Sequence, residues 1–210
     1  MAKTLKLPKL YAIVDVTCFA PQLRTTNAIV EFARDLGEGG VTLLQYRNKE
    51  GATREIMKHA REIKRVLEGK VTLIMNDRAD ICVAAGYDGV HLGQDDLPAD
   101  AARLVVGEGI VGISTHNPQQ VKEADASSAD YIAIGPVFPT TGKKNPDALV
   151  GLKGVSAARA ATKKPLVAIG GITRHNAKSV IEAGADSVAV ISDLLSSPRR
   201  AAEEFLRLLV

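Results

Sequence analysis

The stretch VTLIMNDRADICVAAGYDGVHLGQDD, Val71 to Asp96, contains two short apolar runs joined by one short helical segment. Val71–Met75 leads into Asn76-Asp77, and Gly89–Leu92 leads into Gly93-Gln94-Asp95-Asp96. Both runs are almost continuously apolar, which suits strands buried on both faces. The segment between them stops at Gly86, a residue that ends a helix in the left-handed conformation at no steric cost. A strand, a short helix and a second buried strand read as a parallel pair with a helical crossover. Each strand then finishes in a carboxylate. Carboxylates contribute nothing to an apolar core, so something outside the core must use them.

The same unit recurs along the whole chain. Further apolar runs of four to six residues stand at Leu10–Val14, Val41–Tyr46, Ile110–Ser114, Tyr131–Ile134, Leu166–Ile169 and Ser187–Ile191. Between them, stripes such as Ala28-Ile29-Phe32-Leu36 and Ile56-Ala60-Ile63-Leu67 repeat at the three-or-four spacing of a helix with one buried face. Strand and helix alternate eight times, and such alternation demands a parallel sheet, because each helix returns the chain to the same end. Eight units in 210 residues predict one α/β domain, residues 1–210, folded as a small (β/α)8 TIM barrel. An open doubly wound sheet is the rival. It would carry a Gly-rich turn after its first strand, and YAIVDVTCF has none.

Composition narrows the function. The chain is 46% hydrophobic and 24% charged, ample for a core, with a formal net charge of +3. That excess is compatible with an anionic substrate and too weak for nucleic acid. Trp is absent and aromatics are only 4%, so base-stacking platforms are not expected. The Lys- and Arg-rich segment Arg54–Lys70 is interspersed with Glu55, Glu62 and Glu68, which reads as a solvated helix face. Cys18 and Cys82 form neither a disulfide framework nor a zinc spacing. No apolar stretch has signal-peptide or membrane-span length, so the expectation is a soluble cytoplasmic protein without a membrane partner.

The barrel reading gives the strand-end residues a place, since side chains just past the strand C-termini converge on one mouth. Asp77 and Asp96 follow adjacent strands and make a pair of hard oxygen ligands suited to Mg²⁺, whose remaining positions water and phosphate oxygens would fill. In LLQYRNKE, Gln45, Arg47 and Lys49 alternate with Tyr46 and Asn48, so the first three share a side. A basic pair beside a glutamine fits a multiply charged anion. Ser114 ends the fifth run, while Thr115 and Asn117 read as candidate caps for a helix opened by Pro118. His116 is a candidate acid or base, more simply a surface loop residue, and His91 reads as packed within its strand. The longest connection, GPVFPTTGKKNPDALVGLKG from Gly135 to Gly154, offers Thr140, Thr141 and Lys143 to a phosphorylated ligand. Gly170-Gly171 and Ile191-Ser192 end the last two runs, where many such barrels hold a phosphate. Two anion sites at one mouth, without an evident covalent nucleophile, suit electrostatic handling of a pyrophosphate leaving group.

Taken together, YAIVD, QYRNK, NDRADICVAAGYDGVHLGQDDLP, GIS, GPVFPTTGKK and AIGGIT resemble the thiamine-phosphate synthase family, over almost the whole chain from Tyr11 to Ser192. The resemblance implies a transferase of thiamine biosynthesis with two small-molecule substrates, hydroxymethylpyrimidine pyrophosphate and hydroxyethylthiazole phosphate. It implies that pyrophosphate leaves first and that the thiazole nitrogen captures the resulting pyrimidine methylene cation. By matching motif, the pyrimidine pyrophosphate would contact Gln45, Tyr46, Arg47, Asn48, Lys49, Asn76, Ser114 and Lys143, with Arg47, Ser114 and Lys143 acting in catalysis. Asp77 and Asp96 would hold Mg²⁺. Thr140, Thr141, Gly142, Gly171, Ile191 and Ser192 would seat the thiazole phosphate. One departure stands in the loop, where the family usually reads Thr-x-Thr-Lys and this chain has Thr140-Thr141-Gly142-Lys143. Related barrels that isomerise the thiazole phosphate, or bind phosphate in a regulatory role, are the alternatives. Their relatives lack the second metal carboxylate and the basic pair present here. Whether the chain forms a homo-oligomer is left open.

Overall fold

Eight parallel strands close on themselves in sequence order, the eighth pairing with the first through Leu10 and Val188, among the residues described by the computed structural model, 5–67, 69–140 and 148–210. The strands are β1 (Leu10–Asp15), β2 (Leu43–Arg47), β3 (Thr72–Asn76), β4 (Gly89–Leu92), β5 (Ile110–Thr115), β6 (Tyr131–Ile134), β7 (Leu166–Ala168) and β8 (Ser187–Val190). The helices between and after them are α1 (Thr26–Glu38), α2 (Thr53–Leu67), α3 (Ala79–Ala85), α4 (Ala99–Val106), α5 (Pro118–Ala126), α6 (Gly151–Ala161), α7 (Ala177–Glu182) and α8 (Pro198–Leu208). The (β/α)8 barrel is therefore present, and the open-sheet rival is not. Observed strands end within two residues of the sequence expectation. β2 starts late because the Val41 N–H still bonds back to Leu36 at the end of α1, at 3.1 Å.

Strand parity splits the core in two. Leu10, Ala12 and Val14 of β1 pack outward with the helices, while Tyr11 and Ile13 point into the barrel beside Leu43, Ile74, Ala133 and Val167. The outer layer is the larger. α1 seats Ile29, Phe32 and Leu36 in it, and α2 seats Ile56, Ala60, Ile63 and Leu67, the two stripes expected from spacing. Each of the Ile, Leu and Phe side chains among them taken from water stabilises by about 1.5–3 kcal/mol. α3 closes at Gly86, whose φ of +68° is open to glycine and strained for most other residues. No helix among the described residues is long and apolar enough to cross a membrane.

Candidate active site

Parity also decides what reaches the mouth. Counting inward positions up each strand gives Asp15 after Ile13, Gln45 and Arg47 after Leu43, Asn76 after Ile74, His91 between Val90 and Leu92, and Ser114 after Gly112. The same alternation sends Tyr46 the other way. It is fully buried in the helix layer, its hydroxyl 2.8 Å from His59 Nδ1 on α2. Asn48 caps the turn after β2, accepting from the Gly51 N–H at 2.8 Å and donating to Tyr46 at 3.4 Å. Tyr46 and Asn48 are thus built into the wall behind the mouth.

Cations and carboxylates pair along the rim from β1 to β4. The Arg47 guanidinium pairs with Asp15, which is only 2% exposed. Asp15 is further held by the Thr17 N–H at 3.0 Å and the Thr17 hydroxyl at 2.7 Å. Lys49 Nζ lies 3.0 Å from Asp77 Oδ2. Asp77 has a φ of +59°, the one non-glycine residue with positive φ among those described. Aspartate tolerates that conformation better than most, and such strain gathers at functional sites. The turn is fixed by the Asp77 N–H, which donates to the His91 carbonyl at 2.8 Å. Burial pushes the Asp77 carboxyl up from its ordinary value, and the facing Asp96 carboxyl pushes it further, against the pull of Lys49. Asp96 is oriented by the Gly93 N–H, which donates to its Oδ2 at 2.7 Å. The carboxylate therefore closes its own turn, and α4 starts after Pro98 with no side-chain cap. Among the described residues, no group of three or more His, Cys, Asp or Glu side chains gathers as a metal cage.

On β5, Ser114 Oγ lies 2.8 Å from His91 Nε2, and its carbonyl accepts from Gln94 Nε2 at 2.6 Å. His91 is buried, which lowers its pKa to about 4 and keeps the ring neutral. Asn117 caps α5 by accepting from the Gln120 N–H at 3.0 Å, as its position before Pro118 suggested. His116 is turned to the Gly135 carbonyl, with Nδ1 2.5 Å from it.

The other half of the mouth is formed by the exits of β6, β7 and β8. Gly171 has a φ of +65°, and a Cβ there would lie 2.5 Å from the Pro139 carbonyl oxygen and 2.8 Å from Phe138. The glycine lets the chain leading to Thr140 cross directly over the β7 exit. Thr140 is half-buried, Ile191 packs partly against the barrel interior, and Ser192 is exposed at the head of a short 3-10 turn, Ser192–Leu194. Arg174 ties the two loops together. Its backbone N–H donates to Asp193 at 2.7 Å, its side chain adds two bonds of 3.0 Å to the same carboxylate, and it also pairs with Glu204. Thr141, Gly142 and Lys143 lie outside the described residues.

The site also contains Asp15, Arg174 and Asp193, which sequence patterning alone does not single out. Asp15 carried the same signal as Asp77, a carboxylate ending an apolar run; Arg174 and Asp193 carried none, since 19 residues separate them. Tyr11 and Tyr131, buried inside the barrel and bonded to each other at 3.0 Å, were hidden as ordinary strand aromatics.

A closed parallel barrel with charged side chains gathered past its strand C-termini defines the class of (β/α)8 barrel enzymes. The family model described as thiamine monophosphate synthase matches residues 10–194. A Koribacter versatilis protein named thiamine-phosphate synthase is 61% identical over 210 residues, covering 100% of this chain and 99% of that one. A Chloroflexus aurantiacus protein of the same name is 40% identical over 190 residues, 90% of this chain and 86% of that one. The solved thiamine phosphate pyrophosphorylase from Pyrococcus furiosus has a TM-score of 0.84 at 33% identity, covering 96% of this chain and 95% of that chain. The chain belongs to the thiamine monophosphate synthase family.

Proposed function

We propose that this barrel joins hydroxymethylpyrimidine pyrophosphate to hydroxyethylthiazole phosphate, releasing pyrophosphate and forming thiamine phosphate, with Mg²⁺ held by Asp77 and Asp96. The bond between the pyrimidine methylene carbon and the pyrophosphate oxygen breaks, the oxygen keeping its electron pair. The thiazole nitrogen lone pair then forms the new carbon–nitrogen bond.

The observation that carries this reading is the rim of paired charge, Arg47 on Asp15 and Lys49 on Asp77, with Asp96 facing Asp77. Two facing carboxylates repel, a donor set that a small divalent cation would relieve; Asp77 and Asp96 would hold Mg²⁺, an ion that needs no all-protein cage. When bound, the ion neutralises charge on the leaving pyrophosphate. Arg47 and Lys49 supply the remaining positive charge, and Ser114 a hydroxyl donor. Gln45 and Asn76, inward on β2 and β3, orient the pyrimidine. Gly171 and Ser192 offer backbone N–H groups to the thiazole phosphate across the mouth, beside Thr140.

The test is pyrophosphate release from hydroxymethylpyrimidine pyrophosphate, with and without thiazole phosphate, in the presence and absence of Mg²⁺. Metal-dependent release matched one-for-one by thiamine phosphate is expected. No release from folded, ligand-saturated protein would overturn the reading in favour of an isomerase or regulatory barrel.

A further inference from the structure

Five polar side chains from five strands form one continuous hydrogen-bonded line through the apolar barrel interior. Gln45 Nε2 on β2 donates to the Tyr11 hydroxyl on β1 at 2.9 Å. Tyr11 and Tyr131 of β6 share a bond of 3.0 Å, Tyr131 meets His91 Nδ1 of β4 at 2.8 Å, and His91 Nε2 meets Ser114 Oγ of β5 at 2.8 Å. Tyr131 and the His91 ring stack with centroids 5.5 Å apart, and Tyr11 sits edge-on to Tyr131 at 6.1 Å. The surroundings are Ile13, Leu43, Ile74, Ala133, Val167 and Ala189. β5 makes room for the line: a Cβ on Gly112 would lie 2.1 Å from Tyr131 Cζ and 2.4 Å from its hydroxyl oxygen. Glycine inside a strand weakens it, so the space is given up for the Tyr131 hydroxyl.

We infer that this line is polarised from Gln45 toward Ser114, and that Tyr11, Tyr131 and His91 are positioning residues that leave the Ser114 hydroxyl proton aimed at the mouth. The inference rests on the reading that Ser114 contacts the departing pyrophosphate. The polarity follows from counting protons. Tyr11 accepts from Gln45, so its own proton has Tyr131 as its acceptor. The Tyr131 proton then goes to His91 Nδ1, which must be bare, and the single proton of the neutral ring sits on Nε2 and is donated to Ser114 Oγ. Any other order, with the Gln45 amide as placed, strands a buried hydroxyl proton without an acceptor. The Ser114 oxygen is thereby filled from behind and its proton is left for an anion in front. The Ser114–His91 pair, 2.8 Å apart, has the spacing of a nucleophile and its base but the opposite polarity. His91 cannot take the serine proton while Nε2 carries its own. Turning the Gln45 amide over would reverse every bond in the line and withdraw the serine proton from the mouth.

The first measurement is the His91 tautomer in the free full-length chain at neutral pH, from long-range nitrogen–proton NMR correlations of the labelled protein. The His91 signals are assigned by their loss in His91→Gln. An Nε2–H ring is expected; an Nδ1–H ring or an imidazolium overturns the proposal. The second compares Tyr131→Phe with wild type. It should mix the His91 tautomers and lower kcat about tenfold, the value of one lost hydrogen bond in the transition state, with KM for the pyrimidine pyrophosphate little changed. In a Ser114→Ala background the same change should cost no further rate. Unaltered tautomer and kcat in Tyr131→Phe, or a full additional loss in the double variant, would overturn the positioning role. Tyr11→Phe makes the same test one bond further away should Tyr131→Phe fail to fold. A chain with the Nε2–H tautomer that makes no thiamine phosphate would refute the proposed function and leave the polarity intact.

Discussion

Arg47 is held at the barrel mouth by Asp15, a carboxylate on the neighbouring strand that is 2% exposed and whose other oxygen is taken by Thr17. β1 and β2 pair in register at these two positions, so the contact is fixed by the sheet itself. Asp15→Ala would leave the guanidinium without its partner. A loss of about 1–3 kcal/mol in unfolding free energy by urea titration is expected, because removing Asp15 leaves a largely buried guanidinium without its hydrogen-bonded partner. Affinity for the pyrimidine pyrophosphate should fall in the same variant. Unchanged stability would show that Arg47 does not depend on Asp15.

Asp96→Asn retains an acceptor for the Gly93 N–H and removes one negative charge facing Asp77. Mg²⁺-dependent binding of the pyrimidine pyrophosphate should weaken by roughly tenfold or more, equivalent to about 1.4 kcal/mol. Binding of the thiazole phosphate should be nearly unaffected. Calorimetric titration of each substrate reads both, and equal weakening of the two would argue against separate halves of the mouth.

Gly171→Ala places a methyl 2.5 Å from the Pro139 carbonyl oxygen, on a backbone at a φ of +65°. Strain of this kind costs on the order of 1–3 kcal/mol. Because the displaced chain leads into Thr140, KM for the thiazole phosphate should rise more than KM for the pyrimidine pyrophosphate. Steady-state kinetics in both substrates decide it.

Tyr46→Phe leaves His59 Nδ1 without its partner behind β2. Thermal or urea unfolding should show a loss of about 1–2 kcal/mol. At saturating substrates kcat should stay at the wild-type value, and a large fall in kcat with unchanged stability would place Tyr46 in contact with substrate after all.

His91 predicts an acid limb in stability. Its pKa is lowered by burial from 6.5 to about 4, with Asp96 raising it and Lys49 lowering it by smaller amounts. Between those values the unfolded chain binds a proton that the folded chain refuses, so stability falls as pH drops from 6.5 toward 4 and this contribution is constant outside that window. The loss is on the order of 3 kcal/mol. Unfolding curves in the metal-free protein should show that difference shrinking in His91→Gln relative to wild type; the same slope in both would assign the acid limb to other groups.

The sequence by itself determined the barrel. Eight apolar runs alternating with amphipathic stripes admit few other solutions, because each strand pattern fixes a period of two and each crossover fixes a direction. It also determined which residues lie at and just past the strand ends, and so placed Asp77, Asp96, Arg47, Lys49 and Ser114 at one rim. What only the tertiary structure decided is how those residues are held. Strand periodicity gives a side but not a partner, so it could not say that Arg47 rests on Asp15, that Asp96 closes its own turn, or that Arg174 clamps Asp193 across 19 residues. Nor could it send Tyr46 into the helix layer while Tyr11 and Tyr131 meet inside, since the inward face of a strand is defined only once the barrel closes. Closure brings β1, β2, β4, β5 and β6 around a common axis, and that convergence turns five separated polar residues into one line ending at Ser114.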